Sequence, residues 1–427
     1  MSYSGTQIIL LIKATFIIIF AIYIFYTLSN RKKIDLFSPL YIFPLAYIFY
    51  LYSGSLDIIQ DTYTITAKQW TFYLCGLFCF YAGALIPFFK EKTAGQKTPG
   101  YDRPWEKNRL IFILSMIFLA VVVTRLFIYS KVGIPLLSSD VNLARLEAFK
   151  SGYLGEISIS TEVVFMAAFA GLLIYKKNRF PFYVLLVICL VFALLTGTRT
   201  SLIRQIFPCI ILYHYLHKKI SIRTFTIIIM IALIFIGSMS FFRVYKMWGS
   251  LEVESLREQN YSPLGFWLFY VFRDFKHGPE GFARILEVIP GKFNYQFGRL
   301  HILPFLMPLP GHTPQPGVVF KDMVGAEFTG VGLAATLLAP QYADFGIACI
   351  LLGMFLVGVI FEYTYLLARK KNHHFYYLVY GAIFITLILG IRTNYLNFEI
   401  IWTIFLLTLI HFLVGKKTTI SSENKNE

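Results

Sequence analysis

The sequence predicts an all-α, polytopic integral membrane protein with about eleven transmembrane helices and one large extracytoplasmic loop. Three observations carry this. The chain of 427 residues is 57% hydrophobic and 15% charged, with a mean hydropathy of +0.64, far from soluble-globular usage. Apolar runs of roughly 16 to 23 residues recur, long enough to cross hydrocarbon as helices. Positive charge gathers in alternate connectors, as the orientation of a multi-span protein requires.

The runs fall at 7–28, 36–53, 68–89, 110–130, 158–175, 180–196, 200–216, 222–241, 345–368, 375–391 and 398–414. Residues 1–28 lack a basic leading segment and a small-residue cleavage site, so the first run is expected as a retained span. Segments 29–35, 90–109, 176–179, 217–223, 369–374 and the tail from 415 hold 21 Lys/Arg and 6 Asp/Glu; everything else holds 18 and 17. That asymmetry places those segments in the cytoplasm, the N-terminus outside and the C-terminus inside. The net charge of +16 is then a topology signal and not a nucleic-acid footprint. The expected organisation is eight helices in 1–241, the outer loop in 242–344, three helices in 345–414, and a disordered cytoplasmic tail at 415–427.

The large loop is not uniformly polar. Residues 264–272 (LGFWLFYVF) are apolar but too short to span, so they read as a re-entrant or interfacial piece ending in Arg273-Asp274. In 280–289, Phe282, Ile285, Leu286 and Ile289 recur at helical spacing opposite Glu280, Arg284 and Glu287, an amphipathic helix. The stretch 304–317 (PFLMPLPGHTPQPG) reads as a structured loop.

Arginine marks the candidate site. Of the 21 cytoplasmic basic residues 6 are Arg, whereas of the other 18 there are 10. A topology signal is served equally by Lys, but forked binding of phosphate favours Arg. Arg125, Arg199, Arg204, Arg243 and Arg392 lie where spans meet the outer surface, a costly depth that points to a functional site as readily as to snorkelling. A shared anionic ligand, a diphosphate at headgroup height, accounts for all five. Thr196-Gly197-Thr198-Arg199-Thr200-Ser201 joins two spans with almost no loop. A Gly turn opening a helix can aim backbone N–H groups, hydroxyls and Arg199 at an anion.

Other chemistries find no support in the residues. There is no Asp-x-Asp pair for a metal-bound nucleotide sugar, no His-Glu-x-x-His, no phosphate-binding Gly-rich loop, no dinucleotide fingerprint and no Gly-x-Ser-x-Gly elbow. His214/His217 and His373/His374 sit at cytoplasmic span ends, and Cys75, Cys79, Cys189, Cys209 and Cys349 fall in apolar runs as small packing residues. No metal and no cofactor are expected, so a donor must arrive already activated on a lipid.

At this point the residues resemble the Wzy-type oligosaccharide repeat-unit (O-antigen) polymerases. Gly197-Thr198-Arg199-Thr200 is similar to their Gly-(Thr/Ser)-Arg turn, and Phe272-Arg273-Asp274 to a step in their large outer loop. Thr329-Gly330, Leu337-Leu338, Tyr342-Ala343-Asp344-Phe345-Gly346 and Gly353-Met354-Phe355-Leu356-Val357-Gly358 follow in the order of the family signature, and Arg392 resembles an Arg at a late span end. The resemblance covers roughly residues 195–395. Asp344 stands where relatives more often carry Asn, and no catalytic role is assigned to it.

The resemblance implies a multi-span, C-type-like glycosyltransferase that moves the glycan of one undecaprenyl diphosphate onto a repeat unit carried by another, with membrane lipids, a chain-length regulator and a flippase as partners. With the arginines at the span ends, it gives Arg125, Gly197, Thr198, Arg199, Thr200, Arg204, Arg243, Tyr342 and Arg392 as the expected substrate-binding residues. Arg273, Asp274, His312 and Glu327 are the catalytic candidates, the last three as alternative bases for the acceptor hydroxyl. Trp248, Tyr261, Trp267 and Tyr295 are candidate sugar contacts. Two other readings stay open: a lipid-linked glycan ligase, separable only by its acceptor, and a transporter or flippase of the same lipid. The latter should line a path with mid-membrane charges, whereas Lys13 and Glu362 are almost the only ionisable residues well inside spans.

The charge asymmetry yields a topology test. Alkaline phosphatase fused after residue 300 should be active and fused after residue 420 inactive; the opposite pattern would invert the site's location.

Overall fold

The structure is a computed structural model that describes residues 9–11, 13–19, 21–22, 35–55, 65–94, 105–138, 141–149, 153–235, 237–239, 263–307, 314–325, 332–393 and 397–415. Among the described residues it is all-helical, with no strand beyond an isolated bridge between Trp105 and Gly415. In chain order the helices are α1 (Ile9–Ile19), α2 (Pro39–Gly54), α3 (Ala67–Ala94), α4 (Lys107–Val132), α5 (Val141–Phe149), α6 (Tyr153–Ile174), α7 (Phe180–Leu195), α8 (Arg199–Leu216) and α9 (Ile222–Met239). They continue with α10 (Pro263–Val288), α11 (Arg299–Leu306), α12 (Pro316–Val324), α13 (Leu338–Phe345), α14 (Ile347–Lys371), α15 (His374–Gly390) and α16 (Phe398–Val414). Among the described residues, five segments are long and apolar enough to cross a membrane: Ala67–Lys90, Lys107–Leu137, Ile157–Ile174, Ile222–Met239 and Ile347–Lys371. The protein is a multi-pass membrane protein.

Local sequence sets the breaks. Pro39 opens α2 after an extended Ser38, where its missing N–H costs nothing. Gly133 (φ +80°) ends α4, and Gly346 (φ +69°) separates α13 from α14 so that the chain turns sharply into the longer helix.

Helices in lipid gain little from mutual apolar burial, so close backbone approach through small residues decides which pairs form. The α3–α14 pair is built this way. A side chain on Gly83 would overlap the Phe355 carbonyl, and one on Gly358 would overlap the Phe80 carbonyl and lie 2.9 Å from the Ala84 nitrogen. Phe43 of α2 stacks on Phe80 at 4.2 Å in the same layer. Gly381 of α15 meets Pro208 of α8 likewise, 2.7 Å from its Cα.

Contacts at the two ends of the bundle give the helices alternating directions. At one end, Asp35 before α2 accepts bonds from Tyr215 late in α8 and Tyr365 late in α14, each 2.7 Å. Tyr380, early in α15, donates to the Phe37 carbonyl. At the other end, α2 finishes, α8 begins, and the turn after α15 carries Arg392.

Across that second end lies α10. It corrects the expectation of a short re-entrant piece followed by a separate amphipathic helix: 264–272 and 280–289 belong largely to one helix, continuous through Pro279. Pro279 has no N–H to give to the Phe275 carbonyl one turn back, and Gly54 packs against that carbonyl, its absent Cβ only 2.7 Å away. Three more main-chain carbonyls of α10 accept bonds from outside it. Tyr50 Oη donates to Asp274 O (3.3 Å), Gln69 Nε2 to Pro279 O (3.0 Å) and Thr336 N–H to Gly278 O (3.4 Å). The expected loop at 304–317 is partly helical, its two ends falling in α11 and α12.

Gly83→Leu or Gly358→Leu should therefore destabilise the protein by roughly 1–3 kcal/mol or more through overpacking. Gly291→Ala, whose Cβ would meet only the Glu287 carbonyl at 4.0 Å, should be neutral. Thermal unfolding in detergent separates the two.

A candidate anion-binding site at the helix ends

The chain enters α8 through Thr196-Gly197-Thr198. Gly197 takes φ +63°, and the turn satisfies itself. Gly197 N–H donates to Leu194 O (2.9 Å), Thr198 N–H to Thr196 Oγ1 (3.2 Å), Thr196 Oγ1 to Ala193 O (2.6 Å), and the two Thr hydroxyls lie 2.8 Å apart. The N–H groups of Gly197 and Thr198 and both hydroxyls are thus engaged inside the hairpin, which differs from the cradle expected of them. What the turn presents is Arg199, the first residue of α8, its side chain 8% exposed.

Arg199 meets Asp274 of α10, 75 positions away, with Nη2 at 2.7 and 2.5 Å from the two carboxylate oxygens. Arg392, 118 positions from Asp274 on the other side, places Nη2 3.0 Å from the same Oδ1. One carboxylate thus holds two guanidinium groups side by side. Burial pushes the Asp274 carboxyl up, but the Arg392 and Arg199 charges outweigh it and hold the pKa at about 2. A carboxylate so held is anionic at neutral pH and a weak proton acceptor.

More positive charge surrounds this pair. Arg145 of α5 is near enough to Arg199 that burial, and then the Arg199 charge, lower its pKa to about 10. The α5 segment covers the hairpin, with Val141 Cγ1 3.0 Å from where a Gly197 side chain would begin. His277, one turn beyond Arg273, is held near pKa 4 by burial first and then by Arg392, with Arg273 and Arg199 adding to it against Asp274. It is a neutral imidazole at pH 7. Arg199 and Arg392 on one carboxylate, with Arg145 near Arg199, leave a surplus of positive charge, and Arg392 is 30% exposed. Such a site favours an anion with more than one oxygen to share.

The other expected site residues lie elsewhere. Arg204 forms an ion pair with Glu399 at the start of α16. Arg125, 4% exposed, bonds the Ser158 carbonyl (3.0 Å), Thr161 Oγ1 (3.2 Å) and Tyr129 Oη (3.2 Å), tying α4 to α6. Tyr342 is buried among Phe72, Phe282 and Tyr295, its hydroxyl 3.4 Å from the Ile289 carbonyl. Thr200 occupies the first turn of α8. Arg243, His312 and Glu327 lie outside the described residues, as do Trp248, Tyr261 and the Trp267 side chain. Asp344, fully buried, accepts from Leu300 N–H (3.1 Å) and His301 N–H (3.2 Å) and meets His301 Nδ1 at 2.5 Å. It is an anchor at the N-terminus of α11, which explains an acid there.

Sequence reasoning missed Arg145, His277, Glu162 and Glu399. A signal for Arg145 was present: Val141, Ala144 and Ala148 carry helical spacing in the segment between the runs 110–130 and 158–175.

The fold and site define an all-α multi-pass membrane protein with an arginine cluster seated on a shared carboxylate at one end of its bundle. Residues 8–261 and 280–416 match the family described as Putative O-antigen polymerase, and the chain belongs to that family. Membership implies a glycosyltransferase-like polymerase with lipid-linked oligosaccharide substrates. No curated protein and no solved structure matches the chain.

Because the Asp274 pKa is lowered on folding, from about 3.8 to about 2, its contribution to stability is complete above pH 4. It fades as pH falls through about 2. The difference corresponds to roughly 2 kcal/mol. Asp274→Asn should unfold at lower temperature than the wild type from pH 5 to 8 by a constant margin, and that margin should narrow below pH 4.

Proposed function

We propose that the protein polymerises undecaprenyl-diphosphate-linked oligosaccharide repeat units on the outer face of the bacterial cytoplasmic membrane, with all eleven apolar segments crossing it. The growing glycan leaves its lipid diphosphate and is joined to a new lipid-linked unit. The single observation that carries this reading is the pair Arg199 and Arg392 held on Asp274, with Arg145 beside them, in a family of polymerases. A diphosphate offers several oxygens and more than one charge, and paired guanidinium groups match it.

In the reaction the acceptor hydroxyl oxygen attacks the anomeric carbon of the donor glycan and gives up its proton to a base, for which His312 and Glu327 are the remaining candidates. The bond from that carbon to the diphosphate oxygen breaks, and its electron pair stays on the leaving diphosphate. Negative charge on the bridging oxygen grows as the bond lengthens, so arginines already in place stabilise the transition state more than the ground state. Asp274 fixes the two guanidinium groups and acts as a positioning residue, its proton affinity being too low for a base. The charge asymmetry of the connectors supports the outer location. A flippase supplying the units and a chain-length regulator are the partners this role calls for.

Arg199→Lys and Arg392→Lys should each lower polymer turnover about 30- to 1000-fold, the loss of roughly 2–4 kcal/mol of transition-state stabilisation. The Ala variants should lose more, and Arg103→Ala and Arg223→Ala should polymerise normally. Polymer length and turnover at matched membrane levels are the readout. Near-normal polymer from Arg199→Ala would remove the diphosphate site.

A further inference from the structure

The helix α5 lies over the hairpin that presents Arg199, and its sequence turns a charged residue towards that hairpin. Val141, Ala144, Arg145 and Ala148 recur at helical spacing and so share one face. Val141 and Ala144 are 2% and 5% exposed, and Val141 Cγ1 packs 3.0 Å from where a Gly197 side chain would begin, two residues before Arg199. That face is therefore the buried one. Arg145 lies on it, half-buried and close enough to Arg199 for the two charges to repel. Among the described residues Arg145 makes no hydrogen bond and no ion pair, and its Nε is buried without a partner. Arg125, Arg199, Arg204 and Arg392 each hold at least one partner through the guanidinium; Arg145 holds none.

A guanidinium turned inward without a partner, beside another of the same sign, is costly. Its pKa of about 10 still leaves it charged at neutral pH. Of the three groups in the Asp274 cluster, Arg199 alone bears on Arg145, so Arg145 marks a position offset from the shared carboxylate towards α5. We infer that Arg145 binds the second phosphate of a disubstituted diphosphate whose first phosphate sits on Arg199 and Arg392, and that through it the site selects a diphosphate over a single phosphate group. The inference rests on the reading of Arg199 and Arg392 as a diphosphate site. Three guanidinium charges against one carboxylate leave two positive charges over, and a disubstituted diphosphate carries one ionised oxygen on each phosphorus. A phosphodiester lipid headgroup carries one such oxygen in all and leaves Arg145 unmet. The selection is thus made against the lipids that outnumber the substrate at the membrane surface.

The test uses the purified full-length protein in dodecyl maltoside, a detergent without phosphate, at neutral pH. Inorganic pyrophosphate and inorganic phosphate are the probes, titrated by calorimetry. Arg145→Ala should lose about 10- to 100-fold in pyrophosphate affinity and stay within about threefold of the wild type for phosphate. Arg199→Ala should weaken both. With no anion present, Arg145→Ala should unfold at or above the wild-type temperature, because a repelled and unpartnered charge has been removed. Equal losses for the two probes, or no loss for pyrophosphate, would overturn the selection by Arg145. So would a lower anion-free unfolding temperature, which would show the arginine holding α5 in place. If the wild type binds neither probe, the diphosphate reading of Arg199 and Arg392 falls and Arg145 with it. If the wild type binds both, Arg199→Ala binds neither and Arg145→Ala matches the wild type, that reading stands and the selection by Arg145 falls alone.

Discussion

The carboxylate of Asp274 is the contact on which one end of the molecule depends. It joins the first residue of α8 to the turn after α15 through a helix laid across both. Two guanidinium groups near each other repel, and in a site partly withdrawn from water that repulsion is weakly screened. The shared acid makes their proximity affordable and fixes their orientation. The anion-binding property and the seating of α10 therefore share a cause: without Asp274 the arginines would separate and the helix would lose its charge anchor.

The opposite end has a counterpart of different chemistry. There Asp35 is bonded by two tyrosine hydroxyls, with Arg369 3.9 Å away at the rim. Tyrosine lends a hydrogen bond without a second full charge, so this acid ties α2, α8 and α14 together without building an excess of either sign. The contrast separates a structural knot from a site prepared for a ligand. Between them the α3–α14 contact, drawn close by Gly83 and Gly358, holds the bundle together by shape alone.

Much of this was legible in the residues. Apolar run lengths gave the helical class, and the skew towards Arg away from the basic connectors singled out Arg199 and Arg392, which the fold brings to one carboxylate. Other features depend on distance in sequence and could not be read. Nothing near Arg199 announces that its partner lies 75 residues on, and Glu162 and Glu399 come to line one small cavity only when α6 and α16 meet. The bonds inside the Thr196-Gly197-Thr198 turn were equally hidden, because hydroxyls in a tight hairpin find partners within it. The length of α10 was under-read, since Pro279 looks like a helix end until the neighbours that occupy the freed carbonyl are known.

The way α10 is seated has a consequence for divergence within the family. Tyr50, Gln69 and the Thr336 N–H grip main-chain oxygens of α10, and Gly54 admits another by having no side chain. Main-chain oxygens are the same whatever residue carries them, so these attachments do not record the identity of the α10 side chains. The family match passes over residues 262–279, the stretch that holds all four of those oxygens. A helix moored by its backbone can exchange its outward side chains while keeping its berth.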